Sequence, residues 1–439
     1  MLGQPCPGSE SGTIQRLQPD WVGLEISEKP LSDVNAPPVS ASVKTSTAMT
    51  ALELRASFSL ASIFALRMLG LFLILPVFAI EASRYPGGND AAMVGLTMGL
   101  YGLTQGMLQF MYGLASDRIG RKPVIVFGLL VFATGSLLAA WAPSLSWLAL
   151  GRAVQGAGAV SAAVTALLAD QTRDVVRTKS MAMVGASIGL MFALSLVAAP
   201  LLASWIGLVG IFALTGVLAL LGVVAVIWWV PPEPLQHKDQ PRGRVADVLR
   251  SPALFRLNFG VFVLHAVQLA MWLALPAMLV KAGLPRQDHW QVYLPAVLGS
   301  FVVMGGSLFQ LEKRGYLRAV FLTAIGLTAL VQTGLWWLVD ATPGIGLLGA
   351  LLFVFFYGFN VLEASQPSIV SRLAPPASRG AAIGVYNTLQ SLGFFAGGMG
   401  GGWLMKHGGA SGLYAVCAGL MVLWLLVAWP MQAPLARGH

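Results

Sequence analysis

Apolar residues run through this chain in long uninterrupted blocks, and polar residues collect in short clusters between them. Twelve blocks stand out, at 56–82, 91–115, 123–142, 146–170, 180–205, 208–230, 253–281, 291–311, 318–340, 344–370, 381–404 and 412–432. Each is about the 20 residues of helix that a bilayer core requires. Lipid offers the backbone no hydrogen-bond partners, so such segments are helices or strands of a closed barrel. Barrel strands are about ten residues long and alternate in polarity; these blocks do neither. The pattern predicts an all-α membrane protein with twelve transmembrane helices.

Composition agrees, with 56% hydrophobic and 10% charged residues and a mean hydropathy of +0.74, against about 25% charged in a soluble domain. The formal charge of +9 reads as topology. One alternate set of loops carries Arg118, Arg121 and Lys122, then Arg173, Arg177 and Lys179, a basic central linker, Lys313, Arg314 and Arg318, Arg372 and Arg379, and finally Arg437. The other set has only Arg84, Lys281, Arg286 and Lys406. The positive-inside rule places the rich side and both termini in the cytoplasm, and no nucleic-acid partner is inferred. Tryptophans near block ends, such as Trp141, Trp205 and Trp228, suit the interfacial aromatic belts. Cys6 and Cys417 form neither a disulfide framework nor a metal cluster.

Residues 1–55 read as a polar, disordered cytoplasmic tail without a signal-peptide apolar core; Met49, directly before the first block, is a candidate start. The remainder repeats with an offset near 200. Leu75-Pro76 returns as Leu275-Pro276, Asp117-Arg118-Ile119-Gly120 returns weakened as Glu312-Lys313-Arg314-Gly315, and Lys179-Ser180-Met181-Ala182 matches Arg379-Gly380-Ala381-Ala382. Two six-helix halves, 56–230 and 253–432, are therefore expected in parallel orientation, joined by a cytoplasmic linker 231–252 and followed by a tail 433–439.

The segment GLASDRIGRK, from Gly113 to Lys122, resembles the signature between helices two and three of the major facilitator superfamily. The resemblance covers about 49–432 and is nearest to the superfamily's YajR-type, drug/proton antiporter-like branch, through RMLGLFLILPV, LGRAVQGAGAVSAAVTALLAD, LHAVQLAMWLALP and GFNVLEASQPS. It implies a gate in which Asp117, Arg121 and Asp170, with Gly113, Arg118, Gly120 and Lys122 around them, latch the N-terminal half in the outward-open state. On the residues alone, Gly120 suits a tight turn, Arg121 can reach a carboxylate with two donors, and Asp117 is expected where helix three begins, near its positive dipole end. The bases can equally be positive-inside anchors. Two departures stand out: Ala199-Pro200 replaces the glycine-rich antiporter motif of span five, leaving Pro200 as a helix bend, and YajR-type proteins continue into a small soluble domain where this chain ends at His439.

A charge near a helix centre costs about 2.5–3.5 kcal/mol on insertion scales, so Arg67, Arg152, His265 and Glu363, one each in spans one, four, seven and ten, require a reason. Those spans line the central cavity in the family that the signature resembles. Removing a carboxyl from water disfavours its charged form, which makes Glu363 a candidate proton carrier; the alternative is a fixed salt bridge to an arginine. Asn360, Glu363 and Pro367 share one helix face, as do His265, Gln268 and Trp272. His265 serves equally well as a proton partner or as a helix–helix hydrogen bonder. Arg152 heads GRAVQGAGAV, which resembles the helix-four motif associated with proton transfer, while its small residues can simply admit close helix packing. Arg67 can hold an anion or tune a carboxylate. Gln105, Gln109, Gln155, Gln268, Tyr386, Asn387 and Gln390 complete the candidate cavity.

No P-loop or catalytic constellation is present in the sequence. The reading is a non-enzymatic, cofactor-free proton-coupled transporter of the plasma (cell inner) membrane, its partners being protons, a small-molecule substrate and lipid, functional as a monomer and exporting amphipathic or drug-like molecules by alternating access. The alternatives are an organic-anion symporter or uniporter, and a non-transporting sensor on the same fold.

Overall fold

The computed structural model describes residues 48–233, 245–341, 343–375 and 378–431; the expected tails, up to 47 and from 432, and the linker stretch 234–244 lie outside the described residues. The helices are α1 (Ala51–Phe72), α2 (Phe78–Glu81), α3 (Ala91–Ile119), α4 (Arg121–Ala140), α5 (Leu145–Ala157), α6 (Ser161–Asp170), α7 (Asp174–Trp228), α8 (Val245–Arg250), α9 (Pro252–Lys281), α10 (Trp290–Lys313), α11 (Leu317–Leu338), α12 (Ile345–Leu373) and α13 (Arg379–Ala428). Short 3₁₀ turns occupy Ala82–Arg84 and Arg286–Asp288.

Among the described residues, nine helical stretches are long and apolar enough to cross a membrane. Two of them, α7 and α13, each hold two passes, because the backbone leaves helical geometry at Gly207 and Gly409. Adding α3, whose 29 residues are long enough but too rich in glycine and polar side chains for that criterion, gives the twelve expected spans. Helix α1 begins at Ala51 rather than 56 because Thr50 and Glu53 form a capping box: Glu53 N–H donates to Thr50 Oγ1 at 3.2 Å, and Thr50 N–H to the Glu53 carboxylate at 2.8 Å. The linker contributes the short helix α8 before α9 starts at Pro252.

The repeat is built into the backbone. Among the described residues, the six glycines with positive φ fall into three pairs about 200 residues apart: Gly87 with Gly283 (both 89°), Gly120 with Gly315 (101° and 83°), and Gly207 with Gly409 (64° and 62°). Side chains follow suit. Lys122 at the start of α4 donates to Val230 O at 2.7 Å, and Arg318 at the start of α11 donates to Met431 O at 2.8 Å and Trp429 O at 2.6 Å. In both halves, then, a base on the third pass ties down the last carbonyls of the sixth.

The symmetry breaks where candidate chemistry sits. Around Leu75-Pro76 the first pass loses its helix between α1 and α2, whereas α9 continues through Leu275-Pro276. The fourth pass is interrupted between Ala157 and Ser161, while its counterpart α12 is continuous. Pro200 lies inside α7, in which Gly207 is the residue with non-helical dihedrals.

The halves meet along α3 and α13. A Cβ on Gly95 would lie 2.2 Å from Gly398 O, one on Gly99 2.8 Å from Phe395 O, and one on Gly102 2.5 Å from Ser391 O, so only glycine admits this approach. The contact relaxes at Gly106, where a Cβ would lie 3.3 Å from Ser391 Cβ, and a Cβ on Gly384 or Gly380 in the first turns of α13 would meet nothing within 4 Å. Two ion pairs cross between the halves at the tight end, Lys406–Asp90 at 2.8 Å and Arg286–Glu81 at 3.7 Å. The helices thus close at the end away from Gly120 and part towards it.

Candidate functional site

Ionisable groups inside the helices form two clusters, one in each half, rather than a single ring. In the C-terminal half, His265 (α9), Glu363 (α12) and Gln390 (α13) converge. His265 Nδ1 lies 2.9 Å from Val261 O, an acceptor, so the network assigns the proton to Nδ1 and a lone pair to Nε2. Gln390 Nε2 lies 2.8 Å from His265 Nε2 and donates to Glu363 Oε1 at 3.0 Å. Glu363 Oε2 is buried without a hydrogen bond, 3.4 Å from His265 Nε2. The single Nε2 lone pair already accepts from Gln390, so Glu363 Oε2 is the atom left without a donor, and a proton added at Oε2 or at Nε2, with the Gln390 amide turning away, would close a hydrogen bond across the gap. The histidine is 2% exposed, and the Glu363 side chain, at 37%, opens towards solvent. No arginine lies within ion-pair distance of Glu363 among the described residues, so the fixed Glu–Arg pair weighed above is not the arrangement found.

In the N-terminal half, Arg67 (α1) and Arg152 (α5) are each 1% exposed. Arg67 donates to Ser161 Oγ at 2.9 Å, Tyr101 Oη at 2.8 Å and Gln105 Oε1 at 2.9 Å. Arg152 hydrogen-bonds Gln155 and lies over the Tyr101 ring, 4.7 Å from its centroid. Gln155 donates onward to Ser136 Oγ at 2.8 Å. The break in the fourth pass makes this possible: Gly156 sits where a Cβ would be 2.2 Å from Tyr101 O, and Gly158 where one would be 2.4 Å from Gly128 O, so the small residues of GRAVQGAGAV do admit close packing. A small cavity between the halves is lined by Arg152, Tyr101, Leu71, Met98, Leu269 and Phe394 among others. Gln105 bridges the halves, donating to Ser391 Oγ at 3.1 Å.

Other expected cavity residues are placed differently. Asn360 turns to α10, donating to Ser300 Oγ at 2.9 Å, and is 7% exposed. Gln109, Gln268 and Tyr386 are buried, the last with its hydroxyl unpartnered. Asn387 is half-buried, and its carbonyl accepts from Ser391.

At the parted end, Arg121 collects the gate. Its Nη1 bonds Asp117 and, at 2.7 Å, Ser116 Oγ, while Nε donates to Asp170 Oδ2 at 3.1 Å. Gly113 lies against Ala162. Asp117 does not stand at the start of helix three: it is in the last turn of α3, and the connection is Gly120 alone. The acid on the positive end of α4 is Glu233, whose carboxylate accepts from the backbone N–H groups of Arg121, at 3.0 Å, and Lys122. Gln171 adds hydrogen bonds to Pro231 O at 2.9 Å and Pro232 O at 3.2 Å. Glu233 is absent from the candidates above, although it is an isolated acid just after the sixth span. Glu53 is absent too: Arg173 grips it through Nε at 2.8 Å and Nη2 at 3.0 Å, tying the start of α1 to the loop before α7. In the second half the counterpart among the described residues is the pair Arg372–Glu312.

Comparison with known proteins fits this geometry. The family model Major Facilitator Superfamily matches residues 60–398. The chain is 40% identical over 390 residues to the Inner membrane transport protein YajR of Escherichia coli, covering 88% of this chain and 85% of that protein. It is 27% identical to the Multidrug resistance protein MdtH of Aeromonas salmonicida, over 79% of this chain and 86% of that one. Among solved structures, the human organic anion transporter MFSD10 superposes with a TM-score of 0.63 at 18% identity, covering 86% of this chain and 99% of that one.

Proposed function

The chain belongs to the major facilitator superfamily, and from that premise we propose that it is a proton-coupled transporter exporting small amphipathic molecules. It is a multi-pass inner-membrane transport protein rather than an enzyme. The observation that carries the coupling is the His265–Glu363–Gln390 cluster, with Glu363 Oε2 left without a donor 3.4 Å from Nε2 and a carboxylate partly open to solvent. The name of the multidrug-resistance relative supports the substrate class.

In this reading the parted end, which carries Gly120 and the basic loops, faces the cytoplasm, and the glycine contact of α3 with α13 closes the outer side. Protonation from outside neutralises Glu363 when the outer end opens, and release to the cytoplasm restores the unpaired Oε2 seen here. Substrate and proton drive the cycle only through their different affinities for the two states. The Arg121–Asp117–Asp170 cluster, capped by Glu233, is the cytoplasmic gate element; it is formed here with this end parted, so it does not by itself latch the outward-open state as the resemblance implies. The test is proteoliposomes with an imposed pH gradient and an internal pH-sensitive dye, challenged with cationic, neutral and anionic compounds. Collapse of the gradient by a compound in the wild type but not in Glu363→Gln supports coupling through Glu363; equal substrate flux in both without proton movement overturns it.

A further inference from the structure

Arg67 and Arg152 are both buried in the N-terminal half, and no acid of the described residues lies within ion-pair distance of either. The sequence supplies none nearby: in the N-terminal half, Glu53, Glu81, Asp90, Asp117, Asp170 and Asp174 all sit at or near helix ends. The positive field is larger than two guanidiniums, because Arg67 bonds Ser161, the first residue of α6, at the positive end of that helix. Each arginine also keeps an Nε–H that is buried without an acceptor. The hydrogen bonds they do make go to neutral groups, and Tyr101 lends its ring face to Arg152. A buried charge normally has a partner of opposite sign, and here the described residues supply none. Arg152 lines the small cavity between the halves, whose other walls are Leu71, Leu75, Met98, Leu269 and Phe394 beside Tyr101.

The geometry points to an organic anion as the substrate: a molecule with a carboxylate or sulfonate that meets Arg152, with Arg67 behind it through Tyr101, and an apolar body that lies against the aliphatic and aromatic walls once the halves part to widen the cavity. This rests on the transporter reading above and narrows its substrate class. The anion would also couple to the second cluster mechanically, since Gln105 holds Arg67 on one side and Ser391, next to Gln390, on the other.

Full-length protein in detergent, titrated calorimetrically with 1-naphthoate, 1-naphthamide and 1-naphthylmethylammonium, separates charge from apolar body. Naphthoate is expected to bind about tenfold more tightly than the other two, and Arg152→Gln or Arg67→Gln to remove about that factor while leaving naphthamide binding unchanged. Arg152→Lys, which keeps the charge, should fall between wild type and Arg152→Gln. Equal binding of the three probes, tighter binding of the ammonium, or naphthoate affinity that survives both Gln variants overturns the inference. If the Gln variants do not fold, the wild-type charge series decides alone. The coupling reading fails separately: naphthoate held by the arginines but moved without protons leaves this site standing, whereas proton flux driven by the ammonium probe through Glu363, with no naphthoate binding, leaves coupling standing and this site refuted.

Discussion

Glu363 Oε2 stands 3.4 Å from His265 Nε2, and the opposite ring nitrogen is already committed to Val261 O. The pair therefore offers a place for one proton, and Gln390 holds both members in register. Glu363→Gln is predicted to abolish proton-driven transport while leaving energy-independent exchange of labelled substrate within about a few-fold, because an amide keeps the hydrogen-bonding shape of the carboxyl but cannot take up and release the proton. Exchange and proton flux measured in the same vesicles check this.

Glu233 accepts from two backbone N–H groups at the first turn of α4, the position where a carboxylate both satisfies orphan donors and meets the helix dipole. Glu233→Ala is expected to destabilise the protein by about 1 kcal/mol, in the range of a lost N-cap. Glu233→Gln should retain part of that, since its amide oxygen still accepts. Thermal unfolding in detergent reads the difference.

Arg121 serves Asp117 and Asp170 with different nitrogens, which a lysine ammonium cannot reproduce with the same planar geometry. Arg121→Lys should impair transport about as much as Arg121→Ala, despite keeping the charge. A near-normal rate in the lysine variant would show that only positive charge matters there, as for a topological anchor.

Gly95 faces Gly398 with no room for a side chain: an added Cβ would fall 2.2 Å from Gly398 O and 2.6 Å from Gly402 Cα. Gly95→Val should block closure of this end and abolish the transport cycle. A single cysteine placed at exposed Met399, close to this seam, should become more reactive to a membrane-impermeant thiol reagent in the Gly95→Val background. Unchanged reactivity would mean that the helices close some other way.

The Lys406–Asp90 bridge joins the halves at the same end. The Lys406 ammonium holds the exposed Asp90 carboxyl below its usual value, near 3.9 for a free side chain (about 4). A depressed folded-state value means that the bridge contributes fully above the free value and is lost as pH falls through the lowered one. Closure of this end should thus be insensitive to pH between about 5 and 8 through this pair, and Asp90→Asn should mimic strong acid at neutral pH. Distance distributions between spin labels on the two halves, recorded across that pH range, provide the check.

Much of the architecture was legible in the sequence for a simple reason. Lipid forces every crossing segment to satisfy its own backbone, so hydropathy alone marks the helices, and loop charge marks the alternation. The pairing of Gly120 with Gly315 and Gly207 with Gly409 shows how far the offset near 200 reaches. The gate was legible in part: Arg121 and Asp170 meet as their residue types suggest, but Asp117 closes α3 rather than opening α4. A boundary in GLASDRIGRK that depends on one glycine's φ cannot be read from polarity.

What the sequence determined by itself is a twelve-span, two-half membrane protein with ionisable groups at Arg67, Arg152, His265 and Glu363. Burial in lipid constrains composition residue by residue, and that constraint is local. Only the tertiary structure decided which of those groups meet. It set His265 and Glu363 together in one half, left the two arginines without an acid among the described residues in the other, brought Glu233 from beyond the sixth pass onto the gate, and sealed one end on Gly95 and Gly398. Such partnerships join residues far apart in the chain, and they depend on helix rotation and on close approach at glycines. Neither leaves a periodic trace in the order of the residues.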